Sequence, residues 1–236
     1  SLNEYGTGGT SYGKLLTPKE SHEAFFLSDL ACSQLLKLRD NKKPWCMTVS
    51  FWGPHCPYFV TDEYLGLYNP DNIHMYPSYN DDLKNKPDTY NLCKDKEFNS
   101  GDMYGFDVFP KPYPWSFYQR GLAYIYAHTT MIDEAGRRIL DMLESLELSD
   151  DTLVIWTTDH GCDFGAHGGH LAKGPYITEE LYRIPFAIRW PEVAKPKQES
   201  NKLVSLIDIA PTLLELAGTK FNKTTDGDSL VPIIKG

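Results

Sequence analysis

Cysteine is scarce in this 236-residue chain, and its five copies, Cys32, Cys46, Cys56, Cys93 and Cys162, are scattered without a Cys-x-x-Cys pair. That pattern suggests neither a disulfide framework nor a zinc ribbon, and it slightly favours a reducing, cytoplasmic setting. No apolar run approaches the ~20 residues that cross a bilayer. The opening SLNEYGTGGTSYGKLL lacks a basic segment followed by an apolar one, so neither a membrane span nor a secretory leader is expected. Positive charge is also short: 23 Lys and Arg face 32 Asp and Glu, and the net charge of −9 repels phosphate backbones and anionic lipid. Nucleic acid and membrane surfaces are therefore not expected partners. There is no internal repeat of fixed period, and the lone sequon Asn222-Lys223-Thr224 is of a kind that chance supplies.

Core-forming material is plentiful. Apolar residues make up 41% of the chain, which is enough to bury one sizeable core. Thr17-Pro18 gives a helix start signal, and Phe25, Phe26, Leu30, Leu35, Leu36 and Leu38 keep rough helical spacing over 19–38. Trp45 to Trp52 (WCMTVSFW) is a short apolar run between prolines, which predicts a buried strand of a parallel sheet. Residues 58–115 turn to Asn, Asp, Pro, Lys and Tyr. Their many tyrosines predict an excursion folded against the body rather than a free linker. A long amphipathic helix is expected over 116–147, and a second buried strand over Thr152 to Thr158 (TLVIWTT). A third strand is expected over Ile184 to Trp190, then a helix over Ile207 to Ala217 stopped by Gly218. This alternation predicts a layered α/β sheet with helices on both faces.

Two polar clusters follow predicted strands, where open α/β sheets gather their ligands. After TLVIWTT come Asp159 and His160, then a glycine-rich stretch with His167, His170 and Lys173 interleaved. After WCMTVSFW comes Gly53-Pro54-His55-Cys56-Pro57. A carboxylate and a neutral imidazole suit a divalent cation, and a nearby Lys and His suit a tetrahedral anion. Taken singly, Asp159 reads as a turn cap, His160 as an interior histidine and Lys173 as surface charge. Their joint placement favours a site.

The run TLVIWTTDHGCDFGAHGGHLAKGPYITEELYRIPFAIRWP, followed by LVSLIDIAPTLLELAG and DGDSLVPIIKG, resembles the sulfatase family of the alkaline phosphatase superfamily. WCMTVSFWGPHCPY and SFYQRGLAYIYAHTTMIDEAGRRILDMLESLEL resemble that family's Pro-His loop and the helix before its Asp-His strand. The resemblance implies that Asp159 and His160 ligate a divalent metal, most often calcium in this family. It implies that Lys173 contacts the sulfate and the nucleophile, and that His55 touches the sulfate or the leaving oxygen. His167 and His170 fall in a stretch that varies, where a structural role and a substrate-rim role are both open; His170 is carried forward as a candidate substrate-binding residue.

The family nucleophile, a formylglycine made from the cysteine of C/S-x-P-x-R, finds no match: none of the five cysteines heads that motif, and no serine does. Asp81-Asp82 sits in a predicted loop and is a poor stand-in for the family's amino-terminal aspartate ligands. The expectation is a central and carboxyl-terminal part of a sulfatase catalytic domain, with 58–115 as a substrate-side insertion and the remainder of its own polypeptide as a partner. The expected substrate is a small-molecule or carbohydrate sulfate ester. Two alternatives stay open: a phosphoesterase or phosphonate hydrolase of the same superfamily, and a noncatalytic binding or scaffold fragment.

Overall fold

A computed structural model of the chain describes residues 12–92, 113–191 and 193–236. Cys93 and residues 93–112 of the expected insertion lie outside the described residues. The chain divides into two compact units. One comprises the chain to Leu146 together with His160–Arg183; the other comprises Glu147–Asp159 and Ile184–Gly236.

The first unit is built around one long helix. Strand β1 (Tyr12–Lys14) leads through a 3₁₀ turn to helix α1 (Glu23–Leu38), which begins later than Thr17-Pro18 suggested because His22 is the cap: its Nδ1 accepts the Ala24 amide at 3.1 Å. Strand β2 (Tyr58–Val60) runs parallel to β1, with Tyr12 opposite Tyr58 and Lys14 opposite Val60, and helix α2 (Asp62–Leu65) follows. Helix α3 (Trp115–Ser145) fills the span predicted for it, and its buried face carries Leu122, Ala127, Met131, Ala135 and Ile139. Small residues let α1 approach closely, and the buried Ser28 hydroxyl donates to the Ala135 carbonyl at 2.8 Å. Aromatic rings close the core. Tyr12 stacks on Tyr124 at 4.8 Å, and Tyr118 meets Phe164 edge to face at 5.8 Å.

The run Trp45–Trp52 is a correction. It pairs with no strand among the described residues, and its positions alternate between half-buried and exposed, with Trp52 63% exposed. An extended segment becomes a sheet strand only through a hydrogen-bonded neighbour, which a run of apolar letters does not supply. The tyrosine-rich excursion does fold against the body over its described part. Beyond α2 it forms 3₁₀ turns at Pro70–Asn72 and Pro77–Asn80. The Tyr68 hydroxyl lies 2.7 Å from that of Thr130, and Tyr79 donates to the Tyr113 carbonyl at 2.6 Å. Asp81 and Asp82 accept the Leu83 and Lys84 amides at 2.9 and 3.1 Å, the side-chain-to-backbone bonds of a turn. After α3, the chain re-enters this unit through two single-turn helices, α4 (Ala166–Gly169) and α5 (Glu179–Tyr182).

In the second unit, β3 (Val154–Thr157) pairs antiparallel with β4 (Phe186–Arg189), Val154 facing Arg189 and Thr157 facing Phe186. The first of these was expected as a buried strand, yet the residues of both are half-buried or exposed. Helix α6 (Ile209–Leu216) starts from a 3₁₀ turn capped by a reciprocal Ser205–Asp208 box. Thr212 is buried, and its hydroxyl donates to the Asp208 carbonyl at 2.6 Å and accepts the Leu230 amide at 2.7 Å. This fastens the segment entering helix α7 (Val231–Lys235).

Candidate active site

The glycine-rich stretch after β3 is held by a few backbone contacts. The Gly161 amide donates to the Leu181 carbonyl at 2.9 Å, and the Gly165 amide to the His170 carbonyl at 2.7 Å. Between them the chain adopts left-handed backbone at Gly165, His167, Gly168 and Gly169. Glycine takes that conformation readily, whereas His167 does so at a steric cost. Tyr118 fixes the far end by donating to the Gly169 carbonyl at 2.6 Å.

This loop brings His160 and Lys173 together. Nδ1 of His160 lies 2.8 Å from the Gly161 carbonyl oxygen, which can only accept, so Nδ1 carries the proton and Nε2 the lone pair. The Lys173 ammonium points at that lone pair from 2.5 Å. A Lewis-basic imidazole nitrogen beside an ammonium is a constellation that can hold an anion or, with the lysine displaced, a cation.

His55 sits on the neighbouring loop. Its ring rests 4.7 Å from that of Trp52, its Nδ1 is 2.7 Å from the Cys56 carbonyl, and its side chain is exposed. Burial raises the pKa of the adjacent Cys56 thiol; a backbone hydrogen bond and, to a smaller extent, the positive charge of Lys173 offset part of that rise, so the His55 loop lies within the field of that lysine. The loop is seated on α3 through Gly53, whose α-carbon lies against His128 and Ile132 with no room for a β-carbon. Asp159 belongs to the second unit, where it is exposed and its Oδ1 accepts the Thr158 hydroxyl at 3.3 Å.

The substrate-rim expectation for His170 meets a fully buried ring. Its Nδ1 is 3.1 Å from the Tyr176 hydroxyl, and the Tyr90 ring stands 6.4 Å away. His167 turns to Glu180, with Nε2 2.9 Å from Oε2. Asp163 is buried beside them, accepts the Thr178 hydroxyl at 2.8 Å, and is pushed toward a higher pKa by burial. Asp163, His167 and Glu180 each offer a ligand atom, all within 4.8 Å of one another. The sequence reading flagged His167 alone. Its carboxylate neighbours carry no recognisable spacing, because α5 delivers Glu180 from 13 residues further along.

The family model described as Sulfatase matches residues 26–219. A choline-sulfatase of Rhizobium meliloti (strain 1021) is 30% identical over 219 residues, which cover 91% of this chain and 40% of that protein. The chain thus spans well under half the length of this relative. Among solved structures, BT4656 in complex with its substrate D-glucosamine-2-N,6-O-disulfate matches with a TM-score of 0.74 at 22% identity, over 91% of this chain and 52% of its own. The phosphonate monoester hydrolase SpPMH from Silicibacter pomeroyi matches with a TM-score of 0.82 at 22% identity, over 96% of this chain and 44% of its own. These two likenesses establish an α/β fold of the alkaline-phosphatase type, of which the chain holds a part. With the family model spanning most of its residues, the chain belongs to the sulfatase family.

Proposed function

We propose that this chain is part of a metal-dependent sulfuric ester hydrolase and that it supplies Asp159 and His160 as metal ligands and Lys173 and His55 as substrate contacts. The observation that carries the reading is the 2.5 Å approach of Lys173 Nζ to His160 Nε2. It supports a lysine placed to reach whatever that nitrogen binds. The donor chemistry fits a dication: His160 presents a lone pair at Nε2, and Asp159 contributes a carboxylate. Two such ligands leave most of the ~6–8 coordination positions of calcium to other residues or water.

A bound dication there would draw charge from the sulfate oxygens and ease attack at sulfur. The ammonium of Lys173 does the same for a sulfate oxygen from its own side of the site. The imidazole of His55 donates its Nδ1–H to the Cys56 carbonyl, so that in its protonated, imidazolium form the second proton sits at Nε2, from which it would pass to the departing oxygen and leave a neutral ring, a role commonly worth ~10²–10⁴ in rate. The formylglycine nucleophile is expected from polypeptide beyond these residues. Calcium is the metal expected from family membership. For His170 we propose the structural of its two roles, since its ring is buried against Tyr176.

The proposed substrate is a sulfate ester of a carbohydrate or small alcohol. The tyrosine-rich excursion supports an aromatic wall: its Tyr68, Tyr76, Asn69 and Asn72 line an open hollow of about 370 Å³ together with Tyr126 of α3, rings and amides that suit a sugar. In the full-length protein, Lys173→Ala should lower kcat/KM for an aryl sulfate by at least ~10²-fold with the fold retained. Unchanged turnover would remove Lys173 from the site. Parallel assays with an aryl phosphate and a phosphonate monoester distinguish the sulfatase from its superfamily relatives.

A further inference from the structure

A buried carboxylate with one oxygen left over lies a few residues beyond His160. Asp163 is 1% exposed, Thr178 satisfies its Oδ1 at 2.8 Å, and its Oδ2 has no hydrogen-bond partner. An ionised carboxylate held away from water in that condition is costly unless a cation or donor completes it. Nδ1 of His167 is likewise buried without a partner, while Nε2 of the same ring faces Glu180 Oε2 at 2.9 Å. Three ligand atoms from Asp163, His167 and Glu180 lie within 4.8 Å of one another. The backbone fixes the donors: the His167 amide donates to Ser78 Oγ at 3.1 Å, and its left-handed φ of 47° aims the ring toward α5.

We infer that Asp163, His167 and Glu180 form a second cation site, separate from the Asp159–His160 pair, that takes a borderline transition-metal dication such as Zn²⁺ and ties the glycine-rich loop to α5. One imidazole nitrogen with two carboxylates is a mixed N/O set of the kind zinc and manganese take readily, and with three protein ligands it is closer to the four-coordinate set of zinc than to the ~6–8, mostly oxygen, ligands that calcium gathers. Two carboxylates also balance the charge of a dication when His167 is neutral. The site stands on both sides of Lys173 in sequence, so the bound ion would hold the loop that presents the lysine without touching substrate. The rival arrangement is a metal-free one, in which a protonated His167 sits between Glu180 and Asp163 as an ion pair.

Isothermal titration of Zn²⁺ into metal-stripped full-length protein separates the two. The second site predicts a binding event that Asp163→Asn and Glu180→Gln each weaken at least ~10-fold and Asp159→Ala leaves in place. Asp163→Asn retains an oxygen for the Thr178 hydroxyl, and circular dichroism checks that each variant is folded. Co²⁺ added to the wild-type protein supplies a readout that needs no variant: intense visible d–d bands are expected from a four- or five-coordinate N/O site, and zinc should abolish them. No stoichiometric zinc binding, binding unaltered by Asp163→Asn, binding lost only with Asp159→Ala, or only the weak bands of octahedral Co²⁺ would each overturn the inference.

Discussion

The α-carbon of Gly161 lies against the backbone carbonyl of Glu180 with no space for a side chain between them. The turn that presents His160 and the start of α5 are in direct backbone contact, and the Gly161 amide to Leu181 carbonyl bond seals it at 2.9 Å. Gly161→Ala must push these backbones apart. The expected cost is ~1–3 kcal/mol, in the range of forced overpacking, and, if the proposed function holds, the full-length protein should also lose turnover of an aryl sulfate as His160 shifts from Lys173. Wild-type melting temperature and wild-type kcat/KM in that variant would show that the contact does not position the site.

His128 is 2% exposed within α3, and neither ring nitrogen has a hydrogen-bond partner. Burial, and to a lesser extent the charge of His22, lowers its pKa from 6.5 to about 3. The folded state therefore keeps the ring neutral where the unfolded chain takes up a proton. Stability from this group is complete above pH 6.5 and falls between pH 6.5 and about 3, with a slope of up to ~1.4 kcal/mol per pH unit. His128→Phe should flatten that part of the acid unfolding curve, measured by denaturant titration at several pH values. An identical slope in the variant would rule His128 out as its origin.

Glu134 accepts the Tyr64 hydroxyl at 2.5 Å and the Lys19 ammonium at 2.9 Å. Burial works to raise its pKa, yet these two hydrogen bonds and the charges of Lys19 and Arg138 leave it below the ordinary 4.5. Its contribution is thus present above the unfolded carboxyl value and lost as pH falls through the depressed folded one. The carboxylate is about a third exposed, so solvent screening limits the ion-pair part to ~1 kcal/mol or less. Glu134→Gln should lower the melting temperature at pH 7, and the gap should narrow as the pH falls below 4.5 and close once the folded carboxyl is protonated. A gap that persists in acid would point to packing rather than charge.

In the second unit, Thr212→Val removes both the donor to the Asp208 carbonyl and the acceptor of the Leu230 amide. A buried amide left without an acceptor costs ~1–3 kcal/mol. Hydrogen exchange at Leu230 and Val231 should accelerate. Unaltered protection there would mean that Thr212 is not what holds α7.

Elements with a strong local signal were legible in the sequence. Helix α3 has an apolar face that repeats over many turns, and its span was placed to within two residues at each end. Strand β1 was not, because Tyr12–Lys14 is three residues long and exists only through its pairing with β2, 46 positions away along the register. Trp45–Trp52 failed in the opposite direction: its letters favour a strand, but pairing needs a hydrogen-bonded neighbour, and none is found among the described residues. The approach of Lys173 to His160 followed from recognising a family pattern. The grouping of Asp163 and Glu180 with His167 did not, since it depends on the left-handed turn at His167 and on where α5 begins.

Helix α3 also sets the order in which the first unit can assemble. The Ser28 hydroxyl reaches a carbonyl 107 residues further along the chain, β1 rests on the same helix from a comparable distance, and β2 from a shorter one that is still far from local. Closing loops of that length is slow, while a 31-residue helix with a continuous apolar face forms locally and early. Refolding kinetics should accordingly be governed by substitutions along the α3 face at Met131 and Ala135. Truncations at Tyr12 or Tyr58 should leave the refolding rate nearly unaltered and hasten unfolding instead.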